Sequence, residues 1–509
     1  MFSRLYLDLA SETPITVREN DKPTLAPPAK SGRVNEDVVK AIWLEQPWGA
    51  NPVRDVKGRR VEILSPGWLN GGAGPDFRNA IYKVDGGPLV KGDVEIHVRS
   101  SDWARHGHHK DPAYDAVGLH VVLYSDAKGV EKLARSAFPA LEIELAPVCS
   151  AAIDRIRTQT PLDPSHVNFA LITGKCAAVF KELGEDKAMT LLDAAGEGRC
   201  DLKSRRYTEA MKRGDGAREL YAGIMESLGY SAFKAQFARL AAAVPVERLK
   251  ETLDGVPWRS RRIMLQGVLF GVAGLLPDAS ILKLEPEDET AGYVAKLREA
   301  WSHVSGKFDF KPEISPGEWR LAGTRPANYP IGRIAGIACF LSAHIDDDME
   351  TLFLRALDGM GDGGGGGSAK RGIEKVETLF ETPPEEYMAT HYTIGGKKLS
   401  RPRSLIGTDR VTAMMINVII PYMLARARRI KSAAEEETIR RIYHAIPPGQ
   451  SNCVVGFMAD RLSSAFSKKE LICKTPRQQG LIQIYADYCT ANGKGCEDCG
   501  FLKYIGKLG

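Results

Sequence analysis

The feature that most restricts the fold is a change of hydrophobic period partway along the chain. Between Arg59 and Ser125 the segments RRVEILSP, NAIYKV, GDVEIHVRS and VGLHVVLYS are short, rich in β-branched residues and separated by Gly and Pro. Runs of this kind send successive side chains to opposite faces and need sheet partners. From about Leu162 the period becomes helical, in TGKCAAVFKELGEDKAMTLLDAA, ARELYAGIMESLGYSAFKAQFARLAAAV, RRIMLQGVLFGVAGLL and RVTAMMINVIIPYMLARARRI. The expected fold class is α+β: a small mixed-sheet domain, then a large mainly helical domain with a cysteine-rich C-terminus.

A chain of 509 residues is too long for one core, since single cores stop growing near roughly 250 residues, so two to four domains are expected. Residues 1–30, rich in Pro, Ser, Thr and charge, show no apolar period and read as a flexible arm. Val38, Val39, Ile42 and Trp43 recur at helical spacing between Asn35 and Gln46, and Pro47 stops the run. These signals divide the chain into an α/β domain at 31–160, a helical domain at 161–358 and a helical C-terminal part at 373–509. The stretch between them, 359–372, reads GMGDGGGGGSAKRG and is expected to be a linker or loop, because ordering so many glycines is entropically costly. It lacks the preceding apolar strand and the GK[ST] ending of a phosphate loop.

No stretch approaches the ~18 uninterrupted apolar residues of a membrane helix, and the start MFSRLYLDLASETPITVREN has no apolar core of a secretory signal. Cys149, Cys176, Cys200, Cys339 and Cys453 are scattered singly and read as buried thiols of a reducing compartment. A cytoplasmic location without membrane contact is the resulting expectation. The net charge of +5 permits nucleic-acid binding without announcing it, because only local clustering makes a phosphate-binding surface. Basic runs of that kind occur at Lys203–Arg206, Arg259–Arg262, Arg325–Arg333 and from Ala425.

The densest chemical vocabulary lies between Gly74 and His120. It contains Asp76, Asp93, Glu95, His97, Asp102, His106, His108, His109, Asp111 and His120, hence five of the chain's 10 histidines. Imidazoles and carboxylates gathered in this way are what a metal or acid–base site requires. Asp93, Glu95 and His97 alternate on one strand and share a face, while Asp76 follows a Gly-Pro turn at the start of an earlier strand. The geometry of His106 and His108 cannot be read from periodicity, because Gly107 separates them.

The strings GPDFRNA and GDVEIHVRSSDWARHGHHKDPAYDAVGLHVV, with RPANYPIGRIAGIA and the cysteine-rich end, resemble a widespread bacterial family, domain of unknown function 2851. That resemblance covers nearly the whole chain and carries no activity with it. The N-terminal part also resembles the PD-(D/E)xK nuclease superfamily: Pro75-Asp76 stands for the first motif and Glu95-Ile96-His97, nineteen residues on, for the second. The resemblance implies a divalent ion, Mg or Mn, held by Asp76 and Glu95 with the Ile96 carbonyl, which neutralises developing charge and activates water. His97 stands where the superfamily has lysine, as general base or as a ligand favouring a softer ion. Lys83 or Lys91 could replace the missing cation, and Arg99, His106 and His108 are candidate substrate contacts.

At the other end, Cys473, Cys489, Cys496 and Cys499 close with a C-x₂-C pair, a spacing that suits an iron–sulfur cluster or zinc. The leading expectation is a metal-dependent nuclease acting on nucleic acid, with DNA favoured as the partner. The alternatives are a non-catalytic binding protein with a structural metal, and a zinc-type hydrolase using His97, His106 and His108 on another substrate.

Overall fold

Each of the four β-branched runs forms a strand in the computed structural model, which describes residues 36–45, 48, 52–70, 74–126, 141–149, 176–230, 232–277, 288–319, 321, 324–357, 366–450, 452–489 and 499–505. Residues 1–30 therefore lie outside the described residues. The elements ahead of the helical region are α1 (Glu36–Glu45), β1 (Val53–Arg54), β2 (Arg60–Ser65), β3 (Trp68–Leu69), β4 (Phe77–Val84), β5 (Leu89–Arg99), α2 (Asp102–Arg105), β6 (Val117–Tyr124) and β7 (Leu141–Glu144).

The strand order is β1-β2-β4-β5-β6-β7, with β3 pairing on β4. The β2–β4–β5 meander is antiparallel, whereas β6 and β7 add in parallel. A parallel pair needs a crossover, which is supplied by α2 and the two short 3₁₀ turns His108–Lys110 and Pro112–Tyr114. The outermost strands also meet: Asp55 bridges Ile143, and the Val56 N–H donates to the Glu142 carbonyl at 2.9 Å. One face of β5 and β6 presents Val94, Ile96, Leu119, Val121 and Leu123 to Val39, Ile42 and Trp43 of α1. Each such fully buried apolar side chain contributes about 1.5–3 kcal/mol. Trp43 also donates its indole N–H to the Pro66 carbonyl at 2.9 Å, fixing α1 against the sheet.

Two compact units result. The first holds the described residues of Thr13–Ala188, Ser451–Leu471 and Ile484–Gly509; the second holds those of Met189–Gln450 and Ile472–Gln483. The first unit thus gathers the sheet together with α3 (Cys176–Leu183), α4 (Cys453–Leu462) and α5 (Gly500–Ile505). The second is helical. Its longest helix, Glu185–Lys212, meets Thr475–Ile484 where Gly196 faces Pro476 and Gly480 faces Leu192, so closely that a β-carbon on either glycine would collide with backbone. The long pattern ending in ARARRI is helical but carries a π turn at Met415–Ile419, next to Pro421, which cannot supply a helical N–H.

The glycine-rich stretch departs from expectation in its second half. Residues 366–372 begin a helix, Gly366–Thr378, because Ala369, Ile373 and Val376 form a buried stripe that outweighs the glycine cost. Residues 359–365 lie outside the described residues. No helix among the described residues is long and apolar enough to cross a membrane.

Candidate functional site

The register of β4 on β5 pairs Phe77 with Val94, so Asp76 sits beside Glu95. The two residues pin each other. The Asp76 N–H donates to Glu95 Oε2 at 3.0 Å, and the Ile96 N–H donates to Asp76 Oδ2 at 3.0 Å. The turn that delivers Asp76 is held by Asn70, whose side chain donates to the Pro75 carbonyl at 2.9 Å, and Gly74 takes a φ of 102° that favours glycine. Asp76 Oδ1 receives Lys40 Nζ at 2.6 Å. The cation beside the first carboxylate therefore comes from α1; Lys91 is exposed and Lys83 lies in the β2–β4 pairing.

Glu95 and His97 alternate onto the face opposite the apolar core, and the crossover brings two more imidazoles to them. His97 Nε2 lies 3.2 Å from His106 Nδ1, and Glu95 Oε1 lies 3.0 Å from His108 Nε2 and 3.7 Å from His97 Nε2. Ligand nitrogens of His97, His106 and His108 all fall within 4.8 Å of one another. Gly107 makes this possible: its left-handed φ of 76° reverses the chain between α2 and the next 3₁₀ turn, so both flanking histidines face His97. Trp103 and Tyr114 wall the cluster, with the Tyr114 ring tilted by 34° against the His108 ring at 4.0 Å between centroids.

Behind the cluster runs a buried relay. His97 Nδ1 lies 2.9 Å from His120 Nε2, His120 Nδ1 lies 3.3 Å from Glu142 Oε2, and Glu142 Oε1 accepts from Ser125 Oγ at 2.5 Å. His120 is fully buried and Glu142 is 4% exposed.

Burial sets the ionisation of the site. It drives the Glu95 carboxyl up to about 7, with the charge of Asp76 adding and His108 opposing. It pushes the His97 imidazole down to about 2, reinforced by His120, His108 and His106, so His97 is neutral and has a lone pair to offer. Glu36, one turn before Lys40 on α1, is also raised by desolvation, against the attraction of Lys40.

Asp76, Glu95, His97, His106 and His108 are thus brought together. Arg99 is not among them: its side chain is 57% exposed, pairs with Asp126 at 3.4 Å and lies over the Tyr124 ring. Asp93 instead accepts from the Asn79 N–H at 2.9 Å, at a β4 residue with left-handed φ. Sequence reasoning missed Lys40 and Glu36, although their i,i+4 spacing on the non-apolar side of α1 was a usable signal. Glu142 carried no local signal.

The donor set is rich in nitrogen. Three imidazoles and one carboxylate suit a first-row transition ion such as Mn²⁺ or Zn²⁺ better than Mg²⁺, which prefers oxygen.

Several of the basic runs are occupied within the helical unit. Arg206 pairs with Glu219 and Glu226, Arg261 with Asp346, Arg262 with Glu385 and Glu386, Arg426 with Glu350, and Arg428 with Asp201 and Glu436. At the C-terminal end, Cys489 and Cys499 line one cavity, whereas exposed Cys473 accepts from Arg477 at 3.2 Å and is not part of that lining; Cys496 lies outside the described residues.

A family model described as "Protein of unknown function (DUF2851)" matches residues 36–452, ending before the C-terminal cysteines. No curated protein and no solved structure matches the chain.

Proposed function

The chain belongs to the DUF2851 family, and on the geometry of its own site we propose that its sheet unit is a metal-dependent phosphodiesterase acting on nucleic acid, with a transition ion held by His97, His106, His108 and Glu95. The observation that carries the proposal is the convergence of three imidazole nitrogens within 4.8 Å, with Glu95 Oε1 3.0 Å from His108. When bound, such an ion supplies charge neutralisation at phosphorus and a more acidic water.

The protein's own groups then have distinct tasks. Glu95 and the histidines position the ion. Asp76, held by the Ile96 N–H, fixes Lys40 beside Glu95, where a fixed cation suits a phosphate oxygen. Trp103 and Tyr114 exclude water from one side of the imidazoles. The order antiparallel β4, antiparallel β5, helix, parallel β6, with Asp76 ahead of β4 and Glu95-Ile96-His97 on β5, supports the PD-(D/E)xK resemblance. Lys40 stands in for the cation that His97 displaces.

The test is a panel of single- and double-stranded DNA and RNA incubated with protein loaded with Mn²⁺, Zn²⁺ or Mg²⁺. Cleavage is expected with Mn²⁺ or Zn²⁺ and is expected to vanish in Asp76→Asn and Glu95→Gln while the fold persists. Binding without cleavage by a metal-loaded protein would favour the non-catalytic alternative. Cleavage indifferent to both substitutions would sink the assignment.

A further inference from the structure

Within the helical unit one basic run stands apart from those whose arginines are paired. Arg333, which closes the run Arg325–Arg333, is only 6% exposed. It meets neutral acceptors alone: Nη1 donates to the Leu405 carbonyl at 3.0 Å and Nη2 to Asn328 Oδ1 at 2.9 Å. Arg403 reaches the same place from a later loop, where its Nη2 donates to the His391 carbonyl at 3.3 Å and its guanidinium lies over the Tyr392 ring. Neither arginine has an ion pair among the described residues, and the Nε of each is buried without an acceptor. Buried charges are ordinarily paired.

The two cations also gather at the unfavourable end of a helix. Arg333 lies in the first turn of the helix Pro330–His344, and Arg403 packs so closely on Gly332 that a β-carbon there would meet its Nη2 at 2.8 Å. That turn holds no acidic residue and its N-cap, Tyr329, supplies no side-chain cap, so the positive end of the helix adds to the guanidinium charges. Burial pushes the Arg333 guanidinium down to about 10. It lowers Arg403 as well, with Tyr392 opposing and the charge of Arg333 adding. A third guanidinium, Arg410, shares the Tyr230 ring with Arg333. Arg403, Tyr230, Asn328 and Tyr392 are only half-buried, so the cluster reaches the surface.

We propose that Arg333, Arg403 and the N-terminal turn of the helix Pro330–His344 bind a phosphate dianion, either free phosphate or a phosphate monoester. The planar fork of a guanidinium matches phosphate oxygens, and both arginines keep Nη hydrogens that no protein acceptor uses. The helix end contributes backbone N–H groups aimed the same way. Two fixed cations beside a positive helix end call for two negative charges, which a phosphate monoester carries near neutrality and a carboxylate or phosphodiester does not. The inference does not rest on the phosphodiesterase reading, since its residues belong to the helical unit and its readout needs no metal.

Full-length protein, kept metal-free by a chelator, is dialysed to equilibrium against inorganic phosphate, adenosine monophosphate or adenosine. At least one of the two phosphates is expected to bind, and adenosine is not; the tighter of the two identifies the source. Arg403→Met is expected to weaken binding by about tenfold or more while leaving the ligand-free melting temperature unchanged, because no ion pair is lost. Gly332→Ala removes no donor but pushes Arg403 aside, and is expected to weaken binding in the same direction; it decides the matter should Arg403→Met fail to fold. Binding of neither phosphate to the wild type, adenosine binding as tightly as its monophosphate, or undiminished phosphate binding in the folded variants would each overturn the proposal.

Discussion

The buried relay behind His97 allows a metal-affinity prediction at a residue that touches no metal. If His97 binds an ion through Nε2, the nitrogen facing His106 and Glu95, its proton must sit on Nδ1. That proton is donated to His120 Nε2 at 2.9 Å, which forces the His120 proton onto Nδ1, 3.3 Å from Glu142 Oε2 though not aligned with it. Glu142 then accepts from Ser125 Oγ with one oxygen and sets its charge beside the His120 N–H with the other. A carboxylate can do so; the amide of Glu142→Gln has one oxygen and must turn its NH₂ toward one of the two donors. Outer partners of metal-bound histidines are worth about 10- to 100-fold in affinity, or about 1.4–2.8 kcal/mol. The assay is competition for Mn²⁺ or Zn²⁺ against a chromophoric chelator, with thermal unfolding of metal-free protein as the control. An affinity within about twofold of wild type in Glu142→Gln would refute the relay argument, because the smallest effect expected is tenfold. A large loss of metal-free stability with unchanged affinity would make the relay structural only.

Three further substitutions follow from the geometry. His97→Lys, which restores the superfamily's lysine, is expected to lose both metal and cleavage, because Lys40 already occupies the cationic role; activity retained with Mg²⁺ would show His97 to be no ligand. Gly107→Ala meets nothing within 4 Å, so its cost is purely the left-handed backbone, about 1–2 kcal/mol, and is expected to weaken metal binding because His106 and His108 flank that turn. Gly480→Ala collides with the Leu192 carbonyl in the helical unit and is expected to lower the melting temperature through overpacking of about 1–3 kcal/mol, leaving metal affinity at His97 unchanged.

What could be read from the sequence follows the range of the forces involved. The strands were legible because RVEIL, AIYKV, VEIHV and LHVVLY alternate locally, and strand phase put Glu95 and His97 on one face, whereas the meeting of Asp76 with Glu95 depended on β4 pairing with β5. The joining of β1 to β7 was not legible: it rests on one bridge between Asp55 and Ile143, far apart in sequence. His106 and His108 were recognisable as chemistry but not as geometry, since the backbone of Gly107 alone decides whether they converge. Lys40 was hidden by a helix whose apolar stripe, Val39, Ile42 and Trp43, accounted for it as packing. Cys176 read as a solitary thiol for the same reason. Cys489 and Cys499, which line one cavity with it, lie more than half a chain away, and aromatic contacts of Phe180 and Tyr488 with Phe501 join their segments.

The histidine cluster also differs from an ordinary buried polar network in its balance of donors and acceptors. A self-contained network pairs each acceptor with a proton, because an unpaired buried polar atom costs about 1–3 kcal/mol. Here His97 is held neutral, and its two nitrogens already face His106 and His120. His108 Nε2 is buried with no aligned hydrogen bond although Glu95 Oε1 stands 3.0 Å away. Packing alone would favour moving Glu95 or His108 to correct that misalignment, and both are held: Glu95 Oε2 is tied to the Asp76 N–H, and the His108 ring packs at a tilt against Tyr114. Glu95 Oε1 is thus held 3.0 Å from His108 Nε2 and 3.7 Å from His97 Nε2, and under the proposed function one bound cation would meet all three residues at once.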